Sequence, residues 1–248
     1  MLSKTSIKYI QSLQHKKFRD EYHAFVAEGP KLVNELLSTQ SFICRNVFAV
    51  EEWVNQLDAK TKVSLGDKLE VVMDFELAKI ASFATPNNVV AIFEKKKMDD
   101  SYQPTGRLTL VLDDIQDPGN FGTIIRTADW FGVSHIVCSN NTVDMYNSKV
   151  VQSTMASLAR VTIIYTDLVS WLGEKKGVKK YATTINGNAL GNTKGIKEAI
   201  IIIGNEANGI SAAVLQLADE NITIPKIGHA ESLNAAVATG IVLHSFRQ

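Results

Sequence analysis

Asn120 and Arg126 place an amide and a guanidinium at a point where a strand is followed by a helix. The apolar run Leu108–Leu112 is typical of a buried strand, and Thr123–Phe131 has helical spacing. Gly122 allows a tight turn and a close approach to a ligand, and Arg126 lies about one helical turn beyond it. Because an arginine fork suits phosphate or a ribose hydroxyl, the pattern indicates a binding site.

A structural interpretation of the same residues is equally open. Asn is a common helix cap, and Arg126 has Asp129 and Asp114 as potential surface partners. This motif alone does not choose between the two interpretations.

A second group of polar residues follows the run Ile200–Ile203, whose β-branched side chains suit a strand covered on both faces. The sequence 204–209 is bounded by glycines, but it is neither the GxGxxG of dinucleotide-binding proteins nor a lysine-containing phosphate loop. It is either a ligand-binding turn or an ordinary strand end, with Asn208-Gly209 as a turn and Ser211 aiding a helix cap.

A third group follows the strand-like run Ile222–Pro225. Ser232, Leu233 and Asn234 open a helix predicted over Ala235–Leu243. The free amides of such a helix N-terminus suit an anion or a carboxylate, although a simple Ser cap fits as well.

The elements around these motifs alternate between strand and helix, which predicts an α/β fold with a mainly parallel sheet in its second part. The charged and Pro/Gly-containing stretch 98–106 is predicted to be a linker between residues 1–97 and 107–248. In residues 3–20 the spacing predicts a short amphipathic helix. That segment is basic and has no Asp or Glu before residue 20, so it suits either a phosphate backbone or a solvated arm.

Composition excludes several classes. The chain has 248 residues, with 26 Lys+Arg and 26 Asp+Glu, and no apolar run long enough to cross a bilayer. We expect a cytoplasmic protein without a membrane segment. No histidine pair has zinc spacing, so no metal is expected, and Cys44 and Cys138 are expected to be structural thiols. Trp53, Trp130 and Trp171 are expected to pack in helices.

The three motifs together resemble the SpoU/TrmH family of RNA ribose 2′-O-methyltransferases, in the SPOUT superfamily. The matching residues are Asn120-x-Gly122-x-x-x-Arg126-x-Ala128-x-x-x-Gly132, Gly204-Asn205-Glu206-x-x-Gly209-Ile210-Ser211, and Ile224-Pro225-x-x-Gly228-x-x-x-Ser232-Leu233-Asn234-x-x-x-Ala238. Phe25–Gly29 and the helix after it look like the family's N-terminal substrate-binding domain, which has a ribosomal-protein-L30e-like fold.

The resemblance implies a C-terminal SPOUT α/β-knot domain, with a mainly parallel sheet and a trefoil knot, preceded by a smaller L30e-like α/β domain. It implies S-adenosylmethionine as cofactor and RNA, most naturally ribosomal RNA, as substrate. It also implies a homodimer formed through the knotted domain. The cofactor-binding positions it implies are Thr183, Gly204, Asn205, Ile224 and Leu233, and the catalytic positions are Asn120, Arg126, Glu206, Ser232 and Asn234.

In this interpretation Arg126 donates to the ribose 2′-oxygen, and the other four catalytic positions orient Arg126 and the ribose. Three alternatives remain open: a catalytically inactive RNA-binding protein of ribosome assembly, a methyltransferase that acts on tRNA, and a nucleotide-dependent enzyme on an open α/β sheet. The last lacks the glycine fingerprint and the acidic residue that follows it.

Overall fold

The structure is a computed structural model that describes residues 2–83, 87–97 and 101–248, apart from the side chain of residue 192. The chain forms two compact units, Met1–Lys97 with Tyr146–Ala159, and Met98–Met145 with Arg160–Gln248. No pattern in the sequence predicts that Tyr146–Ala159 belongs to the first unit. Of the linker expected at 98–106, residues 98–100 lie outside the described residues, and residues 101–106 contain neither helix nor strand.

The first unit has a four-stranded sheet of order β1-β4-β2-β3. Strand β4 is antiparallel to β1 and β2, whereas β2 and β3 are parallel. Its strands are β1 (Ala24–Glu28), β2 (Cys44–Ala49), β3 (Leu69–Val71) and β4 (Val89–Glu94). Its helices are α1 (Lys4–Ser12), α2 (Lys16–Tyr22), α3 (Pro30–Thr39), α4 (Glu51–Gln56), α5 (Ala59–Leu65), α6 (Asp74–Ile80) and α8 (Ser148–Ser153).

The second unit has a six-stranded, wholly parallel sheet of order β10-β8-β9-β5-β6-β7. Its strands are β5 (Leu108–Asp113), β6 (His135–Ser139), β7 (Thr162–Thr166), β8 (Lys180–Ala189), β9 (Ala199–Gly204) and β10 (Glu220–Thr223). Its helices are α7 (Pro118–Trp130), α9 (Leu168–Glu174), α10 (Ala212–Leu215) and α11 (Ala235–Arg247). The four isoleucines of β9 are buried, as expected for a strand inside a parallel sheet.

The basic N-terminal segment forms two helices instead of the single helix predicted over residues 3–20. His15 separates them as the N-cap of α2, and the buried Arg19 side chain donates to the carbonyl oxygens of Leu13 (3.0 Å) and Gln14 (2.7 Å). Arg19 therefore stabilises the corner between α1 and α2 by satisfying carbonyls that the end of α1 leaves free.

Helix α7 begins five residues earlier than its apolar spacing indicated, at Pro118 instead of Thr123. The Asp117 side chain caps it by accepting from the Asn120 amide at 2.7 Å, and Pro118 occupies the first helical position. An Asp-Pro pair is a helix start, because Pro lacks an amide that would need a partner there. Asn120 thus lies in the first turn of α7, not in a loop before it.

Strand β8 bulges where it borders β10. Asn221 pairs with Ala182, but the next residue, Ile222, pairs with Asn188, so residues 183–187 bow out of the sheet. A Cβ on Gly187 would lie 2.7 Å from the Asn221 backbone, so only glycine fits where the bulge closes against β10.

Two features are absent from the described part of the chain. None of its helices has the length and apolarity needed to cross a membrane. None of its His, Cys, Asp and Glu residues form a group suited to a metal ion.

Candidate active site

A cavity of about 740 Å³ lies at the carboxyl ends of β8, β9 and β10, where ligands bind in parallel α/β sheets. Its size falls in the range of small-molecule sites. It is lined by the β8 bulge, the turn after β9, and the loop between β10 and α11. The lining residues of these three segments are 183–186, 203–210, 221–228 and 230–233.

Gly204 lines the cavity at a point where the backbone of the following turn packs closely against it. A Cβ at this position would lie 2.3 Å from the Gly209 carbonyl carbon and 2.4 Å from the Ile210 nitrogen. Any side chain at position 204 would therefore displace the backbone of the turn that follows β9. This close approach is the physical reason for a glycine at the end of β9.

Asn205 holds that turn closed. Its backbone exchanges two hydrogen bonds with Gly209, and its side-chain oxygen accepts from the amides of Ala207 (2.8 Å) and Asn208 (3.2 Å). Its side-chain nitrogen donates to the Asp114 carbonyl at 2.7 Å. Because the side chain is used within the protein, the turn offers a ligand mainly backbone groups.

Asn120, Glu206 and Asn234 come from three separate elements and form one hydrogen-bonded cluster. The Asn120 Nδ2 donates to Glu206 Oε1, and Asn234 Nδ2 donates to Asn120 Oδ1 at 2.7 Å. Asn234 is also the N-cap of α11, where its Oδ1 accepts from the amides of Ala236 (3.0 Å) and Val237 (3.3 Å). The carboxylate and the helix amides fix the orientation of both side-chain amides, so the cluster is pre-oriented.

Arg126 projects from α7 as an exposed side chain, and it has no hydrogen bond or ion pair with the described residues. The alternative that Arg126 pairs with Asp129 or Asp114 at the surface is wrong in the described chain. Asp129 is paired with Arg160 at 2.8 Å, and Asp114 accepts a hydrogen bond from Gln116 at 2.6 Å. The alternative for Asn120 is wrong too, because Asp117 caps α7. The Arg126 guanidinium therefore has no partner among the described residues, and it lies on the same helix as Asn120.

The other predicted positions all border the cavity. Thr183, Ile224, Ser232 and Leu233 line it, with Ser232 and Leu233 exposed. Thr183 Oγ1 donates to the Ile202 carbonyl at 2.8 Å, which fixes its side chain at the start of the β8 bulge. Ser232 does not cap α11, since Asn234 does, so the alternative of a simple Ser cap is wrong.

Sequence reasoning missed two contributors to the site. One is the β8 bulge, which brings Thr184, Ile185 and Asn186 to the cavity; the Asn186-Gly187 pair was a turn signal within a strand-like run. The other is Asp113, a buried carboxylate whose Oδ2 accepts from the Ser211 amide at 2.8 Å and so holds the far end of the Gly204 turn.

Comparison with known proteins assigns both parts of the chain to known families. The model of the SpoU rRNA Methylase family matches residues 107–244, and that of the MRM3-like substrate binding domain matches residues 4–91. The 23S rRNA (guanosine(2553)-2′-O)-methyltransferase RlmP of Bacillus subtilis is 32% identical over 244 residues, which are 97% of this chain and 95% of that protein.

Solved structures resemble the whole chain. An AdoMet-bound rRNA methyltransferase from Sinorhizobium meliloti superposes with a TM-score of 0.87 at 32% identity, over 99% of this chain and 96% of that one. A TrmH-family protein from Porphyromonas gingivalis superposes with a TM-score of 0.85 at 34% identity, over 100% and 98% of the two chains. The predicted fold class, a SPOUT α/β domain preceded by a smaller α/β substrate-binding domain, is confirmed, and the chain belongs to the SpoU rRNA methylase family.

Proposed function

We propose that this protein transfers a methyl group from S-adenosylmethionine to a ribose 2′-hydroxyl of 23S ribosomal RNA. The observation that carries the proposal is the Gly204 cavity beside the pre-oriented Asn120–Glu206–Asn234 cluster, in a chain of the SpoU rRNA methylase family. A near-full-length relative named for 23S rRNA favours ribosomal over transfer RNA.

The cavity suits the cofactor in size and in chemistry. Its volume of about 740 Å³ accommodates a nucleoside-sized ligand, and the turns at Gly204, Ile224 and Leu233 offer backbone donors and acceptors for an adenine and an amino acid. Thr183 and Asn205 hold the bulge and the turn in place. When bound there, S-adenosylmethionine supplies an electrophilic methyl group on a sulfonium.

Arg126 is assigned the role of activating the 2′-hydroxyl. A guanidinium stays protonated in proteins, so it acts here as a donor to the 2′-oxygen and to the adjacent phosphate and not as a base. Donation to the developing oxyanion favours loss of the hydroxyl proton to phosphate or water. Arg126 has no competing partner among the described residues, which leaves its fork available to RNA.

Asn120, Glu206, Ser232 and Asn234 are assigned the positioning of the ribose. Methyl transfer needs the nucleophile, the methyl carbon and the sulfur in line, so a fixed arrangement of donors and acceptors supplies much of the rate. Each of the three clustered residues satisfies another, which keeps them in one conformation before RNA binds. Exposed Ser232 adds a hydroxyl at the rim of the cavity.

Arg126→Lys tests the assignment. We expect S-adenosylmethionine affinity near wild type by calorimetry, and methylation of 23S rRNA reduced by about a hundredfold or more, because lysine keeps the charge but loses the fork. Arg160→Lys, an exposed arginine of the same unit, is the matched control and should stay active. Wild-type turnover in Arg126→Lys would contradict the role.

The alternative of an inactive RNA-binding protein is separated from the proposal by two measurements. Calorimetry with S-adenosylmethionine detects binding only if the cavity is functional. Mapping of 2′-O-methyl groups in ribosomal RNA from cells with and without the gene identifies the modified nucleotide. Failure of both would contradict the methyltransferase proposal.

We also propose a homodimer formed through α7 and α11. Trp130, expected to be packed, is instead 84% exposed at the end of α7, and on α11 the exposed Val237 and Ile241 lie one turn apart. Arg126 lies one turn before Trp130, so the active site would border the interface. Trp130→Glu should convert the dimer to a monomer in light scattering, whereas a monomeric wild type would contradict the proposal.

A further inference from the structure

Helices α1 and α2 carry an exposed cationic segment that the active site does not use. From residue 2 to residue 19 the chain has no carboxylate side chain, and the lysines at 4, 8, 16 and 17 are exposed. None of these lysines has an ion pair within the described residues. Asp20, the first carboxylate after the segment, is paired with Lys95.

Three aromatic side chains lie at three- and four-residue spacing at the N-cap of α2 and along it: His15, Phe18 and Tyr22, here called the aromatic row. The rings of Phe18 and Tyr22 are nearly parallel, with centroids 6.3 Å apart and an interplanar angle of 15°. Lys17 Nζ lies 5.7 Å from the Phe18 ring centroid. His15 is exposed, and Tyr22 is 40% exposed, so the row presents ring surface to solvent.

The aromatic row is held rigidly by its own unit. Arg19 donates to the carbonyls at the end of α1, and the Tyr22 carbonyl accepts from Arg45 at 2.8 Å. Tyr9 of α1 packs edge-on against Tyr22, with ring centroids 5.1 Å apart. Because this arrangement exists without a ligand, little conformational entropy is lost on binding.

Exposed rings next to unpaired lysines match the chemistry of unpaired RNA. Bases stack on aromatic rings, and lysines neutralise the phosphates between them. We propose that the aromatic row together with Lys16 and Lys17 binds an unpaired stretch of the RNA substrate. This inference rests on the proposed function, because it takes RNA as the substrate, and it adds the surface that binds the strand outside the active site.

Binding of a short fluorescent oligouridine and of a short RNA duplex to the full chain tests the proposal. Lys16→Gln with Lys17→Gln should weaken oligouridine binding about tenfold at low salt. It should also lower the steepness of log K against log salt by about 1.4, since each lost phosphate contact removes about 0.7. Lys60→Gln with Lys62→Gln on α5, the same charge change in the same unit, should leave both quantities unchanged.

Tyr22→Leu tests stacking separately from charge. We expect oligouridine affinity to fall about tenfold, as when one stacked base is lost, with little change for the duplex, whose bases are already stacked. His15→Ala, a second exposed member of the row, should act in the same direction, and melting curves should show that both variants fold. The proposal is overturned if the wild type and all row and lysine variants bind oligouridine equally well. It is also overturned if the row variants lose as much affinity for the duplex as for oligouridine.

The proposal and the proposed function fail in different ways. S-adenosylmethionine binding and 23S rRNA methylation by wild type test the function. If the wild type methylates 23S rRNA but the row variants bind oligouridine normally, the proposed RNA-binding surface is wrong and the proposed function stands. If the wild type binds oligouridine through the aromatic row but does not methylate 23S rRNA, the proposed function is wrong and the RNA-binding surface is supported.

Discussion

The Gly204 cavity and the aromatic row show two ways of building a binding site. At Gly204 the cavity wall is backbone packed so closely that a Cβ would overlap the next turn, and the Asn205 and Glu206 side chains beside it are hydrogen-bonded within the protein. The aromatic row is a set of side chains at the surface of a helix, with His15 and Tyr22 exposed and Phe18 half-buried. Ligand binding by the cavity should therefore be lost after a single small substitution, whereas RNA binding by the aromatic row should weaken step by step as its side chains are removed.

The largest effect is expected for Gly204→Ala. The added methyl group would meet the Gly209 and Ile210 backbone, so the turn must move and S-adenosylmethionine affinity should fall by about a hundredfold or more, as measured by calorimetry. Gly173→Ala, on α9 and outside the cavity lining, has no atom within 4 Å of the added Cβ and serves as the control. Normal binding by Gly204→Ala would show that the wall is not rigid.

Substitutions of Asn234 separate its two roles. Asn234→Ala removes both the α11 cap and the donor to Asn120, and should cost about 1–2 kcal/mol in urea unfolding and lower the methylation rate. Asn234→Asp keeps a capping oxygen but loses the donor, so it should recover most of the stability and little of the rate. If Asn234→Asp restored both, the cluster would have no positioning role.

His23→Gly is the reverse of Gly204→Ala, since it removes a side chain instead of adding one, and it lies at the end of the helix that carries the aromatic row. His23 ends α2 with φ 48°, in the left-handed region that glycine adopts more readily, and its side chain is exposed. Glycine should raise the free energy of unfolding by about 0.5–1 kcal/mol and leave oligouridine affinity unchanged. A loss of stability in urea titrations would mean that the His23 side chain makes a contact of its own.

The smallest effect concerns how α1 is attached to its unit. The amides of Met73 (3.1 Å) and Leu2 (2.8 Å) donate to the Glu76 carboxylate and hold the pKa of Glu76 below its ordinary value of 4.5. Because the folded pKa lies below the unfolded one, ionised Glu76 stabilises the fold at pH above about 4.5, and this contribution is lost as pH falls through the folded pKa. Thermal melting of Glu76→Gln should therefore show a lower midpoint at neutral pH and a weaker acid dependence than wild type, with exposed Glu70→Gln unchanged.

Much of the fold could be predicted from the sequence, because strands and helices follow from patterns within a few neighbouring residues. The isoleucines of β9 predicted a strand covered on both faces, and the alternation of elements predicted the parallel sheet. Apolar spacing alone predicts the start of α7 too late, because the Asp117-Pro118 cap opens the helix before its first apolar residue. Trp130 was expected to be packed and is exposed, because periodicity places a residue on a helix face without saying what covers that face.

The sequence by itself determined the residue types of the site, their order, and the glycines that the backbone requires, because these depend on stereochemistry within a few residues. Only the tertiary structure decided which of these side chains meet. Asn120 is joined to Glu206 across 86 residues of chain and to Asn234 across 114. Asp129 is taken by Arg160 and leaves Arg126 open, and Arg19 turns inward while its lysine neighbours stay exposed. Such pairings depend on which strands lie side by side, a long-range property that local spacing does not encode.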